Sequence, residues 1–217
     1  MKKILGVIFD LDGTLIDTEP AAAQSIRECF AGWGIQVNPD DANYITGRTW
    51  ETAFQFLFKK YQLPLPAQQA SQAMITRYRD LINHELFPVA GSTDAVRALA
   101  KDFPLGLVSG SYRSEILWAL DRLGIRELFG VILGAEDYPR SKPAPDGYLK
   151  AFGLMNLKAE NILIFEDSEA GITSAKAAGA NVIAITGTNH FRQNHADADH
   201  SIPDLQGVTP EWVRMLE

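Results

Sequence analysis

Two aspartates, Asp10 and Asp12, follow an apolar run within the segment VIFDLDGTLIDTEP, residues 7–20. The run is typical of a buried strand, and the two carboxylates stand where it ends. Acids placed so closely repel each other and cost stability, so a cation or a reacting group is the natural reason for the arrangement. In open α/β sheets, ligands bind at the carboxyl ends of the strands. The segment therefore predicts a site for a cation or for chemistry.

Two later segments of the chain contain hydrogen-bond donors that could bind an anion. The apolar run that ends in VSGS places Ser109, with the backbone N–H groups of Gly110 and Ser111, at the start of a predicted helix. Helix N-termini with small residues bind phosphate oxygens well. The segment SKPAPD adds a cation, Lys142, immediately before a proline. These residues predict a pocket for a phosphoryl group.

A further pair of acids ends another apolar run, in the segment IFEDSEAG. If its Glu166 and Asp167 face the same cleft as Asp10, the carboxylates of Asp10 and Asp167 provide the hard oxygen ligands that Mg²⁺ prefers. Lys142 and Ser109 would then contact the phosphoryl group. Carboxylates, a divalent cation and phosphate donors at one edge indicate phosphoryl transfer.

The elements that must position these residues are short strands alternating with helices. After residue 88, apolar and β-branched runs bounded by Gly, Ser or Asp are separated by helical segments of roughly 10 to 15 residues. Such βαβ units predict an α/β fold, a Rossmann-like parallel sheet with helices on both faces, which the first strand joins. The predicted later strands are 105–109, 131–133, 162–165 and 182–185.

Between the first strand and that α/β region, the chain has helical apolar spacing and no strand pattern. We predict a small all-helical cap domain over residues 17–87, inserted into a catalytic core domain formed by residues 1–16 and 88–217. The aromatic side chains of the insert, at helical spacing, are predicted to form its own core. They are Trp33, Phe54, Phe56 and Phe58.

Composition limits the partners. The formal net charge of -7 argues against a nucleic-acid partner but allows a local cationic pocket for a small phosphorylated metabolite. Cys29 is the only cysteine, which fits a reducing compartment, and we expect a cytoplasmic protein. Asp10 ends the first apolar run well short of a signal sequence or a membrane span, so no membrane association is expected. We expect a monomer, with a dimer left open.

Taken in order, FDLDGTL, VSGS, SKPAPD and FEDSEAG resemble the four motifs of the haloacid dehalogenase-like phosphatase superfamily. The helical insert, KPAPD and EDSEAG are similar to its phosphatase and β-phosphoglucomutase group. The resemblance implies that Asp10 is the nucleophile, forming an aspartyl phosphate, and that Asp12 is the general acid and base. It also implies a Mg²⁺ ion held by Asp10, the backbone carbonyl of Asp12 and Asp167. Glu166 is a further candidate ligand, and a water-mediated or Lys142-orienting role for it stays open.

The remaining roles implied by the resemblance concern the substrate. Lys142 would share the neutralisation of charge on the transferring group, and Ser109 and Gly110 would hold its oxygens. The substrate class by analogy is a small phosphate monoester such as a sugar phosphate. The leaving group would be selected by the cap, whose candidate contacts are Glu19, Arg48 and Trp50.

Two alternatives to a phosphatase stay open. A β-phosphoglucomutase-like mutase needs a second phosphate site in the cap, and Ala22 and Thr46 stand where that enzyme has a histidine and a lysine. The other alternative is a protein that binds a phosphorylated ligand without turnover. We prefer the phosphatase because every group that its chemistry requires is present.

Three histidines occur in the polar segment NHFRQNHADADH, residues 189–200. Their irregular spacing favours a solvated loop over a metal site. We predict no role for His190, His195 or His200.

Overall fold

The computed structural model describes residues 2–44, 50–84, 86–190 and 192–216. The chain forms two compact units, one of Met1–Asp17 with Pro88–Glu217 and one of Thr18–Phe87. The strands are β1 (Gly6–Phe9), β2 (Leu105–Val108), β3 (Phe129–Leu133), β4 (Ile162–Glu166), β5 (Asn181–Ile185) and β6 (His200–Ile202). The helices are α1 (Glu19–Gly32), α2 (Pro39–Tyr44), α3 (Trp50–Lys60), α4 (Ala67–His84), α5 (Ser92–Leu99), α6 (Arg113–Leu123), α7 (Asp146–Met155), α8 (Glu169–Ala178) and α9 (Pro210–Arg214).

The larger unit contains a six-stranded sheet in the order β3-β2-β1-β4-β5-β6, and every pairing in it is parallel. Helices lie between successive strands from β1 to β5, and this parallel sheet with helical crossovers confirms the predicted Rossmann-like α/β fold. Strands β1, β2 and β4 are buried along their whole length, as the continuous apolar runs require for strands covered on both faces.

The two central strands set the position of the acids. In the register of β1 with β4, Phe9 lies opposite Phe165, and their rings stack with centroids 5.1 Å apart. The backbone N–H of Asp10 donates to the Phe165 carbonyl at 3.0 Å. The residues that follow, Asp10 on one strand and Glu166 on the other, therefore emerge side by side at the carboxyl edge of the sheet.

The described residues of the histidine-containing segment form the predicted loop except at its end, where His200 corrects the sequence analysis. His200 begins strand β6, which pairs with β5 through His200 opposite Ile183. Asp199 fixes this edge by accepting a hydrogen bond from the Val182 N–H at 2.8 Å. A three-residue edge strand, with His200 and Ser201 exposed and Ile202 partly buried, is too short to show apolar alternation, so its sequence gives no strand signal.

Among the residues that the structure describes, the smaller unit contains helices joined by loops and no strand. Buried side chains from α1, α3 and α4 form its core, which includes Ile26, Phe30, Leu57 and Met74. The aromatic residues predicted as core, from Trp33 to Phe58, pack against this cluster, as predicted. In neither unit does a helix within the described ranges have the length and apolarity needed to cross a membrane.

Candidate active site

A tight turn after β1 places the first acids. The Gly13 N–H donates to the Ile16 carbonyl at 2.6 Å, and the Leu15 N–H donates to the Leu11 carbonyl at 2.8 Å. Gly13 has φ of +85°, and a Cβ there would lie 2.1 Å from Oδ2 of Asp167. Glycine is therefore required both by the backbone conformation and by the close approach of a carboxylate.

Lys142 lies at the centre of the site. Its Nζ is 2.6 Å from Oδ1 of Asp10 and 2.5 Å from Oε1 of Glu166, and it donates to the Val108 carbonyl at 3.2 Å. Only 12% of the lysine side chain is exposed. The ammonium group also lies 5.1 Å from the centre of the Tyr148 ring. A buried lysine with two carboxylate partners is fixed in position, and it supplies a positive charge beside Asp10.

Glu166 is fully buried and accepts hydrogen bonds at both oxygens. Oε1 receives Lys142 Nζ and, at 3.1 Å, the Tyr148 hydroxyl. Oε2 receives the backbone N–H groups of Asp167 and Ser168, each at 2.9 Å, and the Ser168 hydroxyl at 3.0 Å. A carboxylate has about four lone-pair directions, and five donors already occupy them. These bonds favour the Lys142-orienting role for Glu166 among the roles that the sequence left open.

The acids differ in their electrostatics. Burial raises the pKa of Asp10 to about 8, against the lowering effect of Lys142. Burial and repulsion from Glu166 likewise raise the pKa of Asp167 well above its usual value. Burial also acts to raise the pKa of Glu166, but Lys142 outweighs it and the pKa lies below its usual value. The positive charge of Lys142 therefore outweighs the burial of Glu166. It does not outweigh the burial of Asp10 and Asp167, whose negative charges stay only partly neutralised.

A divalent cation would supply the positive charge that Asp10 and Asp167 lack. Asp10, Glu166 and Asp167 each offer a carboxylate oxygen, and these atoms all lie within 4.8 Å of one another. Three carboxylates against the single ammonium of Lys142 leave an excess of two negative charges when all are ionised. Oxygen ligands of this type suit Mg²⁺. Asp10 and Asp167 are the better ligands, because the oxygens of Glu166 already accept five hydrogen bonds.

The residues after β2 provide polar groups beside the acids. Ser109 is buried, its Oγ accepts the Ser111 N–H at 3.0 Å, and its carbonyl accepts the Tyr138 hydroxyl at 2.7 Å. The Ser111 hydroxyl donates to Oδ2 of Asp12 at 2.6 Å. A Cβ added at Gly110 would meet no atom within 4 Å, so this residue leaves open space beside Ser109.

One detail of this segment differs from the sequence analysis. Helix α6 begins at Arg113 and not directly after Ser109, because Tyr112 with extended backbone occupies the N-cap position. The serines and Gly110 therefore lie on a loop before the helix. That loop lets the Ser111 side chain reach Asp12, a contact that the sequence analysis did not anticipate.

The predicted site residues fall into two groups. The larger unit brings together Asp10, Asp12, Ser109, Gly110, Lys142, Glu166 and Asp167. In the smaller unit, the backbone of Glu19 begins α1, while its side chain and the whole of Arg48 lie outside what the structure describes. The Trp50 ring packs within its own unit, with ring centroids 5.3 Å from Phe54 and from Tyr78.

Sequence reasoning also missed Tyr148 and His195, which contact the acids. Tyr148 on α7 donates to Glu166, and its six-residue distance from Lys142 carries no recognisable signal in a single sequence. His195, for which no role was predicted, has Nε2 2.6 Å from the backbone carbonyl oxygen of Asp167. The sequence shows His195 as one histidine of a polar segment, but it does not show that this segment lies beside Asp167.

Comparison with known proteins agrees with this geometry. A family model described as haloacid dehalogenase-like hydrolase matches residues 7–185. The chain is 28% identical to the fructose-1-phosphate phosphatase YqaB of Escherichia coli, over 85% of this chain and 97% of that protein. It is 30% identical to a phosphoglycolate phosphatase of Yersinia pseudotuberculosis, over 85% of this chain and 82% of that protein.

A solved structure shares the fold. The crystal structure of a putative β-phosphoglucomutase from Thermotoga maritima superposes with a TM-score of 0.85 and covers 99% of this chain and 100% of its own, at 22% identity. At that identity the likeness concerns the fold alone.

Proposed function

The chain belongs to the haloacid dehalogenase-like hydrolase family, and from that premise we propose that it is a Mg²⁺-dependent phosphatase acting on a small phosphate monoester. The observation that carries the proposal is the buried cluster of Asp10, Lys142, Glu166 and Asp167 at the carboxyl edge of the sheet, with Asp12 and Ser109 beside it. Nucleophile, acid and phosphate donors thus follow the ends of β1, β2 and β4, and the cation Lys142 comes from the connection between β3 and α7 of the same unit.

Asp10 is the proposed nucleophile. Its carboxylate oxygen forms a bond to phosphorus while the bond from phosphorus to the leaving oxygen breaks, which gives an aspartyl phosphate. Lys142, 2.6 Å from Oδ1 of Asp10, favours the ionised carboxylate against burial and offsets charge on the transferring oxygens. Glu166 holds the lysine in that position.

Asp12 moves the proton. In the first step its carboxyl proton passes to the departing alkoxide. In the second step the resulting carboxylate takes a proton from the water that attacks phosphorus, while the bond from phosphorus to the Asp10 oxygen breaks and releases inorganic phosphate and the Asp10 carboxylate. The Ser111 hydroxyl, 2.6 Å from Oδ2 of Asp12, orients this carboxyl group. Ser109 and the space beside Gly110 would hold the phosphoryl oxygens.

The proposed metal ligands are Asp10, the backbone carbonyl of Asp12 and Asp167. When bound, Mg²⁺ supplies positive charge that offsets repulsion between the phosphoryl group and the attacking carboxylate. Its affinity falls at low pH, because its ligands must lose protons to bind it.

We assign selection of the leaving group to residues 17–87 as the cap domain, with Glu19, Arg48 and Trp50 as candidate contacts. The relatives named above act on fructose 1-phosphate and on phosphoglycolate. Both are small phosphate monoesters, which supports a substrate of that class, with sugar phosphates the first group to examine.

The direct test is hydrolysis of p-nitrophenyl phosphate with and without Mg²⁺ by the wild type and by Asp10→Asn. We expect Mg²⁺-dependent release of phosphate by the wild type and its loss in the variant, which keeps the size of the side chain but not its nucleophilicity. If the wild type is as inactive as the variant and still binds phosphorylated ligands, the protein is a binding protein and the proposal fails.

A second assay separates phosphatase from mutase. With β-glucose 1-phosphate as the substrate, a phosphatase releases inorganic phosphate, whereas a mutase produces glucose 6-phosphate without net release. We expect inorganic phosphate. Isomerisation without phosphate release would replace the phosphatase assignment by the mutase alternative.

A further inference from the structure

The segment after β5 is attached to the catalytic loops of the larger unit. The Thr188 hydroxyl donates to the Gly13 carbonyl at 2.6 Å, and thus reaches the turn that follows Asp10 and Asp12. His190 Nε2 lies 2.9 Å from Oδ2 of Asp17. Residues of this segment that the structure describes therefore contact both the first motif and, through His195, the residue after β4.

Three described residues that precede His195, namely Asn189, Gln193 and Asn194, are themselves held by hydrogen bonds. Asn189 and Gln193 exchange two hydrogen bonds, from the Asn189 side-chain amide to the Gln193 carbonyl at 2.9 Å and from the Gln193 N–H to Asn189 Oδ1 at 2.8 Å. The Gln193 side chain accepts the Glu169 N–H at 3.0 Å, and the Asn194 N–H donates to the Glu169 carboxylate at 3.2 Å. Four bonds on neighbouring residues thus fix the backbone that presents His195.

The contact of His195 with Asp167 is a directed hydrogen bond. Its Nε2 is 2.6 Å from the Asp167 carbonyl oxygen, and the histidine is half-buried. A carbonyl oxygen only accepts, so the hydrogen must lie on Nε2. The ring therefore donates to the peptide group that directly follows the Asp167 side chain.

Within the described part of the chain, the Asp167 carboxylate accepts a hydrogen bond from one side chain. The Thr14 hydroxyl donates to Oδ1 at 3.4 Å, which is a long hydrogen bond. The Asp167 N–H donates to the Glu166 carboxylate at 2.9 Å, so Glu166 fixes the amide end of the Asp167 backbone. The bond from His195 fixes the other end, at the carbonyl.

We propose that His195 is a positioning residue that holds the Asp167 backbone, so that its carboxylate stays directed at the proposed metal site. The role rests on the proposed function, because the metal site is part of it. Partners that orient a metal ligand through a hydrogen bond raise metal affinity, and their loss costs about tenfold to a hundredfold. His195 acts through the backbone of the ligand and is expected at the lower end of that range.

The test compares Mg²⁺ binding, by titration calorimetry without substrate, among the wild type, His195→Phe and His195→Gln. Phenylalanine keeps a ring of similar size but has no donor, whereas glutamine keeps an N–H donor. We expect about tenfold weaker Mg²⁺ binding by His195→Phe and recovery of most of it in His195→Gln. The KM for p-nitrophenyl phosphate at saturating Mg²⁺ should change little in either variant.

His200→Ala is the matched control, because it removes an exposed imidazole from the same stretch of chain. It should bind Mg²⁺ as the wild type does. A role in packing alone would lower the melting temperature of His195→Phe while leaving Mg²⁺ affinity equal to that of the wild type, and this outcome overturns the proposal. Failure of the proposed function is distinguishable, since the wild type itself would then hydrolyse no phosphate monoester.

Discussion

Adding one methyl group to Gly171 tests how firmly Glu166 is held. Gly171 lies in the first turn of α8, and a Cβ built on it would be 1.7 Å from Oε1 of Glu166 and 2.0 Å from its carboxyl carbon. An ordinary contact of a Cβ atom begins at about 3.4 Å, so in Gly171→Ala the separation must about double. The carboxylate has to move, since the helix backbone is fixed by its own hydrogen bonds.

The magnitude follows from the bonds that such a movement breaks. Glu166 accepts five hydrogen bonds at 2.5–3.1 Å, and a displacement of this size is expected to break at least two. Bonds to a charged group contribute about 1.5–3 kcal/mol each. Alanine in a helix is favoured over glycine by about 1 kcal/mol, which opposes the loss. The net expectation for Gly171→Ala is destabilisation by about 2–5 kcal/mol.

Urea denaturation measures this change, and Gly153→Ala is the matched control. Gly153 lies in α7, and a Cβ there would meet no atom within 4 Å, so the same substitution should stabilise the protein by about 0.5–1 kcal/mol. Gly171→Ala should also lower kcat by about tenfold to a hundredfold, because Lys142 loses a fixed partner. Equal stability changes in the two variants would refute the view that Glu166 is rigidly held.

Three further predictions concern other groups of the site. Tyr148→Phe removes a buried hydroxyl that donates to Glu166 at 3.1 Å and should lower the free energy of unfolding by about 1–2 kcal/mol in urea denaturation; an unchanged value would contradict the contact. Ser111→Ala removes a donor to Asp12 and should reduce kcat for a sugar phosphate more than for p-nitrophenyl phosphate, whose phenolate leaves without a proton. Equal losses with both substrates would argue against Ser111 acting through the acid. Without metal, the raised pKa of Asp10, about 8, means that its proton stabilises the folded state at low pH and that this stability is lost as the pH rises through that value. Mg²⁺ should therefore raise the melting temperature more at about pH 8 than at about pH 6, and an equal rise at both would contradict the assignment of the metal site.

Much of the fold and of the central site follows from the sequence for a simple reason. Buried parallel strands give continuous apolar runs, and the polar residues directly after them meet at one edge of the sheet. Asp10, Lys142 and Asp167, far apart in the chain, were therefore predicted to share one site, and in the structure Lys142 Nζ lies 2.6 Å from Asp10.

The contacts that support those residues could not be predicted in the same way. Tyr148 reaches Glu166 only because α7 packs against the sheet, and its own helix gives no reason for a tyrosine there. His195 reaches Asp167 from the segment between β5 and β6, and the three-residue strand that follows is too short to give a periodic signal. Local patterns specify elements, whereas these contacts depend on how the elements pack.

The central claim is that Asp10 carries the phosphoryl group during turnover. An acyl phosphate is reduced by borohydride to an alcohol, so enzyme quenched during hydrolysis and treated with borohydride should contain homoserine at position 10. Peptide mass spectrometry would detect it. The account predicts this change only when both substrate and Mg²⁺ are present, and its absence in Asp10→Asn. Sustained phosphate release with residue 10 unmodified, or with the modification at another acid, would contradict it.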